Sequence, residues 1–244
     1  MPYRLSYLPI AILLLIPAIS CKGRADRSSE ASSRKEHFRC LLPGDATLRT
    51  GDVVFRRGGG LTSHVVLAAD HEGNYSHVGI VVDSCGTKLI VHAVPGERDF
   101  EGDVDRVKAD LPERFFSTEF TSIGEVCRPA DSVVAERAAS IAWQAYKRHT
   151  LFDHSYDDAD TTRLYCTELV VYAFSRAGCD IVEGRGHHIN LPILQADCVF
   201  PSDIYVSDFL TLQSPSASSR WQRFQVAAVT TTRLRVWPRL PLSA

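Results

Sequence analysis

The sequence predicts an α+β domain in which a small antiparallel sheet packs against helices, and three observations predict it. Residues 75–83 (YSHVGIVVD) and 88–94 (KLIVHAV) have the apolar two-residue period of strands. Between them Ser84-Cys85-Gly86-Thr87 has turn composition, so a hairpin is the simplest connection. Downstream the period changes: 132–149 (SVVAERAASIAWQAYKRH) and 165–178 (YCTELVVYAFSRAG) place apolar residues three and four apart, as helices do. A cluster of strands followed by helices is the order of a sheet covered by helices, not of a strict βαβ alternation.

Each element follows in chain order. Residues 1–20 carry one cation, Arg4, an apolar run over 8–19, and the ending Ala18-Ile19-Ser20 before Cys21. This is the pattern of a secretory signal with a lipobox-like end: small residues suit the peptidase, and the cysteine suits acylation of its sulfur. The run is shorter than the roughly 20 residues that a membrane span needs. The expectation is a lipoprotein signal peptide over 1–20, lipidation at Cys21, and a membrane-anchored place in the cell envelope; several acyl chains hold where one is marginal. Residues 21–44 read as a flexible tether, because 22–37 are polar, serine-rich and aperiodic. Residues 52–55 read as the first strand. Asp131-Ser132 can cap the first helix, whose stripe is Val133, Val134, Ala138, Ile141, Ala142 and Ala145. In the second, Leu169, Val170, Ala173, Phe174 and Ala177 form the apolar face, and Gly178 supplies the stop. The domain then covers 45–213, with 214–244 as an extension of unassigned role. A hydrophobic fraction of 45% suits one domain of this length with a sizeable core.

Chemistry concentrates at a cysteine and two histidines. Cys166 opens its helix, where unpaired N–H groups and the aligned peptide dipoles favour a thiolate and can also receive an oxyanion. On the first hairpin strand Val78, Ile80 and Val82 share one face, and His77 lies on the other. If Asp83 pairs with Lys88, Gly79 falls opposite His92, and the two histidines share a face on a diagonal of roughly 7 to 8 Å. Gly79 leaves room between them.

The segments GDVVFR (51–56), YSHVGIVVD (75–83), LIVHAVPGE (89–97) and YCTELVVYAFSRAG (165–178), in that order, resemble the circularly permuted papain-like amidases of the YiiX/YaeF-like branch of the NlpC-type cell-wall hydrolases. The likeness spans roughly 45–210, and histidine before cysteine is the permuted order. It implies a permuted papain-like (NlpC-type) fold with Cys166 as nucleophile, His77 as general base and acid, His92 as the residue that orients His77, and Tyr165 lining the oxyanion site. The matching position of His92 is often glutamate in that family. An imidazole can fix the tautomer of His77 but stabilises an imidazolium less than a carboxylate does. The implied activity is thioester-forming hydrolysis of an amide or peptide bond, in peptidoglycan stem peptides or related envelope amides, with no cofactor. Related permuted folds include acyltransferases and lipid hydrolases with the same Cys-His pair, and a catalytically inactive envelope binding module is the third alternative. A long apolar groove beside Cys166 would favour lipids; a short polar pocket ending in a charged group would favour peptides.

Other polar residues read as structural. Glu168 complements the helix dipole, Asp153 and Asp157 read as solvated or turn-forming, and the adjacent His187 and His188 read as loop. Residues 200–203 match a late segment of the family, near the site. The formal charge of −2 becomes −3 once Arg4 is removed, and no basic patch, phosphate loop or repeat points to nucleic acid. Seven cysteines less Cys21 and Cys166 leave five, which cannot all pair with one another. No CxxC or ordered Cys/His spacing indicates a structural metal site.

Overall fold

The computed structural model describes residues 38–70, 73–156, 161–191, 194–213 and 224–225. In chain order the elements are β1 (Val53–Arg57), α1 (Leu61–Ala69), β2 (His77–Ser84), β3 (Thr87–Val94), β4 (Arg106–Asp110), α2 (Pro112–Phe115), β5 (Ile123–Pro129), α3 (Ser132–Lys147) and α4 (Cys166–Ala177). They continue with β6 (His187–Leu191), β7 (Leu194–Cys198), α5 (Pro201–Tyr205), β8 (Leu210–Leu212) and β9 (Phe224–Gln225). An antiparallel sheet runs in the order β4-β3-β2-β1-β5-β8, β9 also pairs with β5, and β6 and β7 form a separate ladder. The fold is α+β.

The hairpin has the register expected from its turn. Asp83 faces Lys88, and Ile80 faces Val91. Both faces of the sheet are covered. Val53, Phe55, Val78, Ile80, Val82 and Val91 join the core that α3 and α4 close. On the opposite face Val54, Val81 and Ile90 pack with Phe115, Phe116 and Val126, flanked by Cys40 and Leu42. Because β1 and β2 are buried on both sides, a polar residue on either one must find a partner inside the protein.

Helix α3 starts where its cap lies: the Asp131 carboxylate accepts the N–H groups of Val133 and Val134. Helix α4 buries Leu169, Val170, Ala173, Phe174 and Ala177 against the sheet. Full burial of such side chains is worth about 1.5–3 kcal/mol for each larger one, so Phe174→Ala is the change that would loosen this layer most. Gly178 ends the helix at φ 94°, in the left-handed region. At the other end Glu168 accepts the N–H of Tyr165 at 3.2 Å, which fixes the first turn on which Cys166 stands.

One expectation changes. His187 and His188 open a strand rather than a loop, and their imidazoles diverge to Asp203 at 2.9 Å and Asp197 at 2.7 Å. Of the two roles expected for Asp153, the structure shows the turn: it is buried and accepts the N–H of Ser155. Asp157, the signal peptide, Cys21 and most of 214–244 lie outside the described residues.

Candidate active site

Gly79 is what lets two imidazoles meet. A Cβ built there would lie 2.8 Å from Ile90 Cγ2 and 3.1 Å from His92 Cβ. With hydrogen in its place, His77 Nε2 and His92 Nδ1 approach to 2.9 Å, and His92 Nε2 reaches Asp110 Oδ2 at 3.1 Å. Asp110 stands on β4 across from Ile90, two residues from the pair Lys108–His92, and it also forms an ion pair with Arg114, whose Nε lies 3.2 Å away. His92 is wholly buried. Donor counting fixes the tautomers: an ionised Asp110 can only accept, so His92 donates from Nε2 and accepts at Nδ1. His77 therefore donates from Nε2, and its Nδ1 carries a lone pair. That lone pair is free to accept a proton.

Asp110 is ionised. Burial opposes its charge, but the hydrogen bond and charge of His92, followed by Arg114 and Arg56, outweigh that and hold its carboxyl below the usual range. Nothing in the sequence pattern marks this residue as functional. In RVKAD, Lys108 and Asp110 alternate with apolar residues, which is the pattern of a solvated face; the signal that could have found Asp110 is its diagonal position beside a histidine already suspected of function.

Cys166 is half-buried and shares with His77 the wall of a cavity of about 370 Å³. The backbone N–H groups of Val78, the residue after His77, and of Cys166 and Thr167 in the first turn of α4 lie close enough to its sulfur to favour negative charge there. A second, apolar cleft of about 120 Å³ opens on the other side of Cys166, lined by Val65, Ile189, Val199 and Phe200, with Pro201. Thus 200 and 201 do border the site. Tyr165 lines both clefts with its ring, while its hydroxyl accepts the N–H of Val199 at 3.2 Å.

The thiol does not rest as a thiolate. Burial pushes Cys166 up to about 11, against the downward pull of three N–H groups and of Arg56. His77 is held well below its ordinary value by burial, then by the charges of Arg56 and His92. The helix terminus acts in the expected direction, but desolvation is the larger effect, so the resting pair is neutral thiol and neutral imidazole.

Arg56 is the second residue the sequence did not reveal. It faces His77 across the β1–β2 ladder and is 2% exposed. Its guanidinium bonds the Phe115 carbonyl at 3.1 Å, pairs with Glu97, and lies 4.6 Å from the centre of the Phe115 ring. Arg56 and Glu97 both line the larger cavity, giving it a charged end.

A metal does not fit here. One nitrogen of His77 and both of His92 are spent on the relay, and among the described residues no three His, Cys, Asp or Glu side chains converge to hold an ion. Among the described residues Cys40, Cys85, Cys127, Cys166 and Cys179 are free thiols.

No protein-family model matches the chain, and no curated protein matches it. Among solved structures it is similar to YiiX from Escherichia coli O157:H7, described as a metalloprotein, with a TM-score of 0.55 at 18% identity. The match covers 69% of this chain and 97% of YiiX. The chain therefore has a YiiX-like α+β fold.

Proposed function

We propose that this chain is a permuted papain-like cysteine hydrolase of the NlpC type that cleaves an amide or peptide bond. One observation carries the reading: a buried relay, Asp110–His92–His77, ends in a basic nitrogen at the cavity that Cys166 shares. In the first step His77 Nδ1 takes the thiol proton while the sulfur attacks the substrate carbonyl. The oxygen that becomes anionic faces the N–H groups at the start of α4 and the wall formed by Tyr165. Asp110, one imidazole away, stabilises the imidazolium and replaces the carboxylate that His92 displaces from the neighbouring position. The imidazolium then protonates the leaving amine, and water, deprotonated by His77, hydrolyses the Cys166 thioester. No step runs through a metal.

The charged Arg56 and Glu97 in the wall of the larger cavity support a peptide-type substrate, such as a peptidoglycan stem peptide. The apolar cleft beside Cys166 supports a second reading, acyl transfer or lipid hydrolysis by the same pair, and its small volume makes that the lesser one. In this proposal 1–20 is a cleaved signal peptide, Cys21 a lipid anchor in the envelope membrane, 21–44 a tether, 45–213 the enzyme domain and 214–244 an extension.

Mass spectrometry of products from the mature chain, incubated with peptidoglycan fragments and separately with phospholipids, tests the function. Peptide cleavage by the wild type and none by Cys166→Ala is the expected result. Equal turnover by the mutant removes the assignment. Release of Cys21→Ser from the membrane fraction is the corresponding test of the anchor.

A further inference from the structure

We infer that Tyr156 is a further catalytic residue, whose phenol O–H donates a hydrogen bond to the substrate oxygen that becomes anionic as Cys166 attacks. The inference rests on the cysteine-hydrolase reading above. Tyr156 belongs to the walls of both clefts, and both clefts are bounded by Cys166, so its side chain stands where a carbonyl bound for the sulfur must pass. Its ring packs 5.3 Å from that of Tyr165, the residue before Cys166, and 6.2 Å from Phe152. Those two contacts hold the ring beside the residue that precedes the first turn of α4. The backbone at Tyr156 has φ 55°, a left-handed conformation that bulky residues rarely adopt. Such strain persists where the surroundings impose it, and it clusters at active sites.

The hydroxyl is suited to donate. Burial, then the Cys166 sulfur, then the Asp153 carboxylate raise its pKa, so the proton stays on the phenol. Tyr165 uses its hydroxyl differently, anchored on the N–H of Val199. The start of α4 approaches the oxygen from one side only. A tetrahedral oxyanion has three lone pairs, and a phenol in the cleft wall supplies a donor beyond those of the helix. In the step itself the S–H proton goes to His77 and the S–C bond forms, while the carbonyl π pair moves onto oxygen. Tyr156 keeps its proton throughout. On collapse the pair returns, the bond to the leaving group breaks, and His77 returns the proton to that group.

Two small probes of Cys166 separate this role from a structural one. Acylation by p-nitrophenyl acetate develops an oxyanion; alkylation by iodoacetamide does not. The mature chain carrying Tyr156→Phe should show an ester burst slowed by roughly tenfold or more, with Cys166 alkylation and thermal midpoint unchanged. Equal slowing of both reactions, or of neither, overturns the inference while leaving Cys166 as nucleophile. A burst in Cys166→Ala as large as in the wild type overturns the hydrolase reading, and this inference with it.

Discussion

Alkylation of Cys166 as a function of pH tests the neutral resting pair directly. Burial pushes the thiol up to about 11, whereas a small free thiol has a pKa of about 8.5. Near pH 8 the free thiol is roughly a quarter ionised, and a thiol at 11 about one part in a thousand, a deficit of roughly two-hundred-fold in thiolate. Intrinsic nucleophilicity rises with pKa at a Brønsted slope of about 0.4–0.5, which returns roughly ten- to twentyfold. Cys166 should therefore react with iodoacetamide about ten to twenty times more slowly than free cysteine near that pH, and its rate should climb about tenfold per pH unit until about pH 10. Peptide mapping after timed quenching isolates Cys166 from the other thiols. A plateau with a midpoint below about 8, at a rate above that of free cysteine, would mean a preformed thiolate–imidazolium pair. It would refute the argument that desolvation outweighs the helix terminus.

Asp110→Asn should lower turnover by at least about tenfold with little change in KM, because the amide lacks the carboxylate charge and can turn its NH2 toward His92, so the tautomer is no longer imposed; steady-state rates check this, and an unchanged kcat excludes the relay. Gly79→Ala should cost about 1–3 kcal/mol, since a Cβ would meet Ile90 and the wall of the histidine pair, and should shift the denaturant midpoint without changing the slope. Acid should destabilise the fold through His77: its folded pKa is depressed, so the unfolded chain binds more protons below about 6.5 and stability falls as pH drops through that range. Thermal midpoints of the wild type should consequently fall more steeply below that pH than those of His77→Gln.

Much of the scaffold was legible because it depends on local periodicity. The turn at 84–87 sets the register of β2 on β3, and that register brings His77 and His92 onto one face. The stop at Gly178 and the cap at Asp131 are backbone requirements written in residue type. Asp110 and Arg56 were not legible, since a charged residue on or at the end of an apolar strand signals solvent unless something covers its face. Phe115 covers His92 and Arg56, and it comes from a short helix, α2, with no signal of its own. Nor did the sequence indicate the balance at Cys166. A helix start can be read from spacing, but the depth of a sulfur depends on what the rest of the chain stacks over it.

Helix α1 contributes no buried side chain, follows Gly58-Gly59-Gly60, and forms part of the wall of both clefts. Leu61, at its first turn, is 81% exposed. Little free energy therefore ties this helix down, and it can undock while the layers beneath keep their packing. Thr62 and Val66 of this helix line both chambers beside the sulfur, so the size of molecule that the protein admits depends on how α1 is held as well as on the rigid relay below.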